Sequence, residues 1–142
     1  MIKVSTIIIA VLFALSSVYD IVLLIDPTIV LEGDFRAVTG KDYREVLDSD
    51  TVKVSNLHIR HMEVFGVTAT ILGFFVLFAA FRKGEKWAWV ALLIAGVICW
   101  GFGTVVNLVV GNLFDSTFFV VGLAVHLVAL FLPVRKFFPR AT

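Results

Sequence analysis

Cysteine is almost absent from this chain, which has one, Cys99, among 142 residues. A single cysteine excludes an intrachain disulfide, and it excludes a thiol oxidoreductase that relays electrons between cysteine pairs of one chain. Charged residues are also scarce, at 16% of the sequence, and the formal net charge is only +1. Because the chain has no basic tract, the sequence gives no support for nucleic-acid binding.

Recognisable catalytic motifs are missing as well. The sequence contains no glycine-rich phosphate loop, no Gly-x-Ser-x-Gly elbow and no Ser-x-x-Lys pair. No nucleophilic side chain stands beside a credible base. The sequence therefore identifies neither a catalytic residue nor a cofactor, and it leaves open whether the protein is an enzyme.

Apolar residues are abundant, making up 60% of the chain, and the mean hydropathy is +1.01. They form four long stretches, at about 4–25, 62–81, 87–111 and 116–134. Each is near the ~20 residues that a helix needs to cross ~30 Å of hydrocarbon. Four such stretches are too few to close a barrel, so helices are the expected spans. The sequence predicts an all-α integral membrane protein, with residues 1–142 forming a single four-helix bundle.

The segment between the first two stretches, 26–61, is long for a connection and is expected to contain structure. Asp26 and Pro27 should end the first helix, because proline disfavours helix in the residue before it. The sequence suggests a short hairpin that pairs 28–31 with 35–38, followed by one or two helical turns at 41–47. We expect a structured polar cap over the bundle.

The distribution of lysine and arginine predicts the orientation, because short cytoplasmic loops carry an excess of both. Segment 26–61 mixes basic with acidic residues, and the third connection holds only Asp115. This pattern predicts cytoplasmic termini and an outside location for 26–61. The basic residues that flank the other ends of the apolar stretches are Lys3, then Arg82, Lys83 and Lys86, and finally Arg135, Lys136 and Arg140.

Small and polar residues recur at helical spacing within each apolar stretch, so each helix should have one such face. In the predicted topology Asp20, Glu63 and Asn107 lie in the outer third, and His126 lies near the middle. With Trp100, they would line a pocket that opens outward beneath the cap. The four faces are Phe13, Ser16, Ser17 and Asp20; Glu63, Gly66, Thr70 and Gly73; Gly96, Trp100, Gly103 and Asn107; and Phe119, Gly122, His126 and Ala129.

A carboxylate at membrane depth is costly, so Asp20 should be paired, protonated or within reach of water. Arg60 is the expected partner. In one interpretation, Asp20, Arg60 and Glu63 form an ion-pair cluster that holds the first two helices together. In the other, Asp20 or Glu63 contacts the polar head of a ligand or moves a proton.

Histidines could indicate a metal or a haem, but their spacing favours neither. His58 and His61 lie on adjacent turns, whereas Glu63 points away from His61, so this pattern is only a weak metal motif. His126 is the only histidine in the predicted membrane interior, and a bis-histidine haem would need a second one at similar depth. We expect no metal, and we expect a hydrogen-bonded structural role for His126.

The segment from Asn56 to Gly66, which opens the second predicted span after a long connection, supports one family resemblance. Together with the short basic turn and two further spans, it resembles the uncharacterised DoxX-like group of small four-helix membrane proteins. In that group an arginine a few residues ahead of a glycine opens the second helix, as Arg60 does ahead of Gly66. The resemblance implies a four-helix fold and an association with a redox or lipid-related membrane system.

Three functional classes remain open. The first is a non-catalytic subunit or assembly factor of a larger membrane complex, which fits the small size and the lack of a catalytic constellation. The second is a binding protein or isomerase-type enzyme for an apolar ligand, such as a lipid, a sterol-like molecule or a quinone, with Asp20, Arg60, Glu63, Trp100, Asn107 and His126 around the ligand. The third is a transporter or channel, which would require a homo-oligomer because four helices enclose too little volume for a pore.

Overall fold

The computed structural model describes residues 1–139, and all the regular structure within that range is helical. Arg140, which the topology prediction used, lies outside the described residues. The elements, in chain order, are α1 (Ile2–Ile25), α2 (Thr28–Thr39), α3 (Tyr43–Val46), α4 (Ser49–Ala79), a 3₁₀ turn (Phe81–Lys83), α5 (Lys86–Gly96), a π-helical segment (Val97–Phe102), α6 (Gly103–Val110), α7 (Leu113–Phe131) and α8 (Val134–Phe137).

Four helices are long and apolar enough to cross a membrane, which indicates a multi-pass membrane protein and confirms the predicted number of candidate spans. They cover Ile2–Ile25, Ser49–Lys83, Lys86–Val110 and Leu113–Phe131. The third joins α5 and α6 through the π-helical segment, a form that is rare and usually short. We call the end of the bundle that carries α2 and α3 the cap end. The end that carries Lys3 and the 3₁₀ turn is the basic end.

The first helix ends at Ile25, before Asp26 and Pro27, as predicted. The prediction of a hairpin after it was wrong, because α2 occupies both of the expected strands. Pro27 has φ −67°, a value suited to the start of a helix. Within α2 the guanidinium of Arg36 donates to the carboxylate of Glu32 one turn earlier, at 3.2 Å. The helix stops at Gly40, whose φ of 73° favours glycine.

The remainder of the cap is also more helical than predicted. The short helix expected within 41–47 is present as α3 (Tyr43–Val46). The helix that contains the predicted second span starts well before residue 62, because α4 begins at Ser49. Asp48 explains this early start, since its carboxylate accepts hydrogen bonds from the backbone N–H groups of Asp50 and Thr51, both at 2.9 Å. Segment 26–61 therefore consists mostly of helix.

Glycines on α5, α6 and α7 allow these helices to approach closely. The ring of His126 lies on Gly96, and the indole of Trp100 lies on Gly122. The ring of Phe119 lies on Gly103 in the same way. A Cβ at any of the three glycines would overlap the ring that covers it. The faces predicted for the third and fourth spans therefore pack against each other.

At the α1–α4 interface, bulky side chains of α1 likewise pack against glycines of α4. The ring of Phe13 lies 2.7 Å from the position that a Cβ on Gly73 would take, and the carboxylate of Asp20 lies 2.8 Å from the corresponding position on Gly66. Thr70, between these glycines on the same face of α4, is buried and donates its hydroxyl to the carbonyl of Gly66. The stripes predicted for the first two spans also face each other.

The apolar core lies at the basic end. Phe81 of the 3₁₀ turn stacks at a tilt on Phe137 of α8, with 4.9 Å between ring centroids. The indole N–H of Trp89 donates to the carbonyl of Leu130 at 2.9 Å, so its polar atom is satisfied inside the core. Outside this core the helices are sparsely covered, since only 11–28% of the most apolar window of each candidate span is buried. Much of the apolar surface of the four helices is therefore exposed.

Replacing Gly122 with alanine should loosen the contact between the π-helical segment and α7, because the new Cβ would overlap the indole of Trp100. We expect a loss of about 1–3 kcal/mol in the free energy of unfolding. Gly101→Ala is the matched control, since the nearest atom to its new Cβ would be 3.9 Å away, an ordinary contact. Thermal unfolding in detergent, followed by circular dichroism, compares the two. Equal midpoints would contradict the role given to Gly122.

Candidate functional site

Asn112 connects the cap to the bundle at the turn between α6 and α7. Its side chain is almost fully buried, and its amide nitrogen donates to Oδ1 of Asp34 at 3.1 Å and to Oδ2 of Asp115 at 2.7 Å. Its amide oxygen accepts from the backbone N–H of Asp115 at 3.2 Å, so Asn112 also caps the start of α7. One side chain thus fastens α2 to the first turn of α7.

The carboxyl group of Asp34 is the electrostatically unusual member of this cluster. Desolvation, and then hydrogen bonding and charge repulsion from Asp115, raise its pKa from 3.8 to about 6. The hydrogen bond from Asn112 acts in the opposite sense and is the smaller effect. Although part of Asp34 faces open space, its carboxyl oxygen lies against the buried amide of Asn112. Two carboxyl groups so close together cannot both ionise without cost.

A cleft of about 370 Å³ opens beside this cluster, between the cap and the ends of α1 and α7. Its polar groups are those of Tyr19, Asp34, Asn112 and Asp115, and aliphatic and aromatic side chains line the remainder. It can therefore hold a small molecule with one polar end. The lining residues are Tyr19, Ile29, Val30, Gly33, Asp34, Ala37, Asn112, Phe114 and Asp115.

None of the four polar residues of the cleft was among the predicted site residues. Asn112 had a local signal, since asparagine followed three residues later by an acidic residue is typical of a helix start. The contact with Asp34, 78 residues away along the chain, had no such signal. The contact forms because α2 folds back over the α6–α7 turn. The sequence predicted a hairpin where α2 lies, so this contact was not expected.

Three of the predicted pocket residues lie instead in or beside the close contact of α5 and α6 with α7. Trp100 is buried on Gly122, as described above. The side-chain amide of Asn107 donates to the carbonyl of Gly103 in its own helix at 2.9 Å. Nε2 of His126 lies 3.0 Å from the carbonyl of Leu92 and, as the protonated nitrogen, donates to it. None of the three lines the cleft.

His126 leaves one polar atom unused in the described part of the chain. The residue is 1% exposed, and its Nδ1 has no hydrogen-bond partner. With Nε2 donating to Leu92, Nδ1 is an acceptor. The nearest other ring is that of Phe13, whose centroid is 6.3 Å away. The hydrogen-bonded structural role predicted for His126 is thus present on one side of the ring only.

The carboxyl groups of Asp20 and Glu63 meet across the α1–α4 interface, near the cap end. They are hydrogen-bond partners, and this contact requires one of them to carry the proton. The predicted ion pair between Asp20 and Arg60 is not formed. Arg60 donates instead to the carbonyl of Ile25 at 3.4 Å, because the last carbonyls of a helix lack intrahelical partners and attract a cation.

The weak metal motif of the sequence is dispersed in the structure. His58 and His61 are both exposed on α4. Among residues 1–139, no three histidine, cysteine, aspartate or glutamate side chains are grouped closely enough to hold a metal ion. The ion pairs within that range lie in two places. In the cap, Arg36 and Arg44 contact Glu32 and Asp42. Near the start of α4, Lys53 contacts Asp50.

The fold defines a class, that of small helical proteins with four candidate transmembrane helices. Within that class no closer assignment emerges: no family model matches the chain, and neither a curated protein nor a solved structure matches it.

The raised pKa of Asp34 predicts that the packing of α2 on the α6–α7 turn depends on pH. A folded-state pKa of about 6, above the ordinary 3.8, means that the stabilisation is fully present below the ordinary value. It is lost as the pH rises through about 6. Hydrogen exchange of α2, corrected for intrinsic rates, should therefore accelerate between about pH 4 and 6, the interval between the two pKa values, and level off above it.

Asp34→Asn should remove this pH dependence, since an amide does not titrate in that range. Glu32→Gln, on the same helix but outside the Asn112 cluster, is the matched control and should retain it. If Asp34→Asn and the unsubstituted protein show the same pH profile, another group is responsible.

Proposed function

We propose that the protein is a non-catalytic subunit or assembly factor of a larger membrane complex. The sparse burial of its four candidate spans supports this, since most of their apolar surface is free to contact other helices. The exposed side chains include many large aromatic ones, among them Phe65, Phe75 and Phe102 at 66–71% exposure. Aromatic residues are enriched at the cores of protein interfaces.

The observation that carries the proposal is the contact between Asp20 and Glu63. Even when the two carboxyl groups share one proton, one negative charge remains within the candidate spans. No ion pair within residues 1–139 involves either residue, and Arg60 is engaged at the end of α1. Both side chains are half-buried, so a partner can reach them.

An intramembrane charge of this kind costs roughly 2.5–3.5 kcal/mol on insertion scales, and such residues pair with an opposite charge or line a wet cavity. A lysine or arginine of a partner helix would neutralise the remaining charge. Removing one partner of a buried charge pair is strongly destabilising, so such a contact would make assembly selective. We propose that Asp20 and Glu63 receive a cationic side chain of the complex.

We propose further that the four helices are inserted in a membrane, with both termini cytoplasmic and segment 26–61 outside. The basic residues of the described chain support this orientation, because those outside segment 26–61 lie at the basic end. These are Lys3, Arg82, Lys83, Lys86, Arg135 and Lys136. In this orientation Trp87 lies at the cytoplasmic membrane interface, where tryptophan is favoured.

We also propose a relationship to the DoxX-like group. The four-helix layout supports it, as does the position of Arg60 ahead of Gly66 on α4. In this chain Arg60 has a physical role, since it satisfies a terminal carbonyl of α1. Gly66 has another, since it admits the carboxylate of Asp20. The relationship implies an association with a redox or lipid-related membrane system.

Removing both carboxylates by Asp20→Asn with Glu63→Gln should release the protein from its complex. We expect the binding free energy of the complex to fall by about 1.4 kcal/mol or more, which weakens its affinity at least tenfold. In native gels of gently solubilised membranes, the fraction that migrates as the large species should fall accordingly. The matched control, Glu45→Gln with Asp50→Asn, removes two exposed carboxylates of the cap region. Unchanged migration of the first double variant would contradict the proposal.

A second function, binding of an apolar ligand with a polar head, is favoured by the cleft beside Asn112. Asp34 and Asp115 would contact the head group, and Ile29, Val30 and Phe114 would contact its body. The cleft lies at the cap end beneath α2, where the sequence predicted an outward-opening pocket, although other residues line it. We propose this as the alternative, for a lipid, a sterol-like molecule or a quinone.

Native mass spectrometry of the protein from its own membrane distinguishes the two functions. An added mass of a few hundred daltons beyond the 15.7 kDa chain favours the ligand, whereas a co-released polypeptide favours the complex. Phe114→Ala should remove the small added mass by shortening one wall of the cleft. Phe75→Ala, which shortens another exposed phenylalanine, on α4, should leave it. Retention of the mass by Phe114→Ala would exclude this cleft.

A further inference from the structure

An apolar groove of about 340 Å³ runs along the α1–α4 interface in the half of the bundle near the basic end. Alanines one turn apart on α1, Ala10 and Ala14, leave the space, and the rings of Phe74 and Phe78 form the opposite wall. The one hydroxyl in the lining, that of Thr6, is satisfied by the carbonyl of Ile2 at 2.8 Å. The lining consists of Thr6, Ile7, Ala10, Val11, Ala14, Phe74 and Phe78.

Two cations stand at the basic end of this groove. Lys3 precedes Ile7 by one turn and so shares the groove-facing side of α1. Arg82 follows Phe78 by four residues and belongs to the 3₁₀ turn, which packs against α1. Both side chains are exposed, and no ion pair within residues 1–139 involves either one. The groove therefore combines an apolar channel with an unneutralised basic mouth.

We propose that this groove binds one anionic phospholipid, with an acyl chain along Ala10 and Ala14 and the phosphate between Lys3 and Arg82. The charges and the apolar lining occupy the positions that the head and tail of such a lipid would take at the end of a membrane helix. Basic pockets between transmembrane helices are a recurring form of anionic lipid site. Each cation near the surface contributes about fivefold to the affinity.

A second copy of the chain is the main alternative occupant, because small residues one turn apart also favour helix pairing. In a symmetric pair within one membrane, however, the two α1 helices would run parallel. Lys3 and Arg82 of both copies would then meet at the same end of the interface, and like charges would oppose association. A lipid phosphate removes that repulsion, so charge complementarity favours the lipid.

This inference rests on the membrane insertion that forms part of the proposed function, but it does not depend on the Asp20–Glu63 contact. The groove lies towards the basic end of the α1–α4 interface, whereas Asp20 and Glu63 lie towards the cap end. A bound lipid could be retained by a free subunit or within a complex. Failure of either the partner site at Asp20 and Glu63 or the lipid site therefore leaves the other standing.

The test is native mass spectrometry of the full chain reconstituted in vesicles of phosphatidylcholine mixed with phosphatidylglycerol. We expect the protein to retain one phosphatidylglycerol in preference to phosphatidylcholine. Lys3→Gln with Arg82→Gln should weaken that retention roughly thirtyfold. Arg135→Gln with Lys136→Gln removes two exposed charges from α8, at the same end, and should retain the lipid. Equal losses in both double variants would reduce the effect to general surface charge and overturn the site.

Ala14→Phe tests the groove itself, because it fills the apolar channel from an exposed position and leaves both cations in place. We expect the phosphatidylglycerol adduct to disappear in this variant, with helicity unchanged in circular dichroism. If the adduct persists, the acyl chain does not occupy the groove and the proposal is wrong. If a dimer without lipid is released from the unsubstituted protein instead, a second copy covers the groove.

Discussion

Close contact between a bulky side chain on one helix and a glycine on its neighbour is the interaction on which the rest of this structure depends. Trp100 on Gly122 and Phe13 on Gly73 are two examples. Helices that share an apolar environment gain little from hydrophobic burial against each other, so close van der Waals packing must hold them together. A glycine allows it by removing the Cβ that would otherwise separate the backbones.

The same rule determines where the polar groups lie. The side chain of Asp20 packs against Gly66 of α4, so its carboxyl group is held at the interface, where it meets Glu63. The ring of His126 packs against Gly96 of α5 in the same way, and this position brings its Nε2 to the carbonyl of Leu92. A side chain held between two helices cannot turn away to solvent. Its polar atoms must find partners within reach, and Nδ1 of His126 finds none among the described residues.

The two ends of the bundle differ in how they are closed. At the basic end, Phe81 and Phe137 fill the space between the helices, and that end is apolar inside and cationic outside. At the cap end, hydrogen bonds of Asn112 to Asp34 and Asp115 hold the connection together and leave a cleft. Packed aromatic rings close the basic end, whereas two neighbouring carboxyl groups and a buried amide close the cap end. The candidate ligand cleft and the Asp20–Glu63 contact both lie towards the more polar end.

The sequence by itself determined the helical class, the number of candidate spans and the packing face of each, because apolar length and the 3.6-residue period are local properties of a chain. It even identified Gly96 and Gly122 as interface positions. Only the tertiary structure decided that Arg60 serves the end of α1 and that Asn112 joins α2 to α7. Those contacts depend on where a helical cap folds back over the bundle, and a residue's spacing along the chain carries no information about partners dozens of residues away.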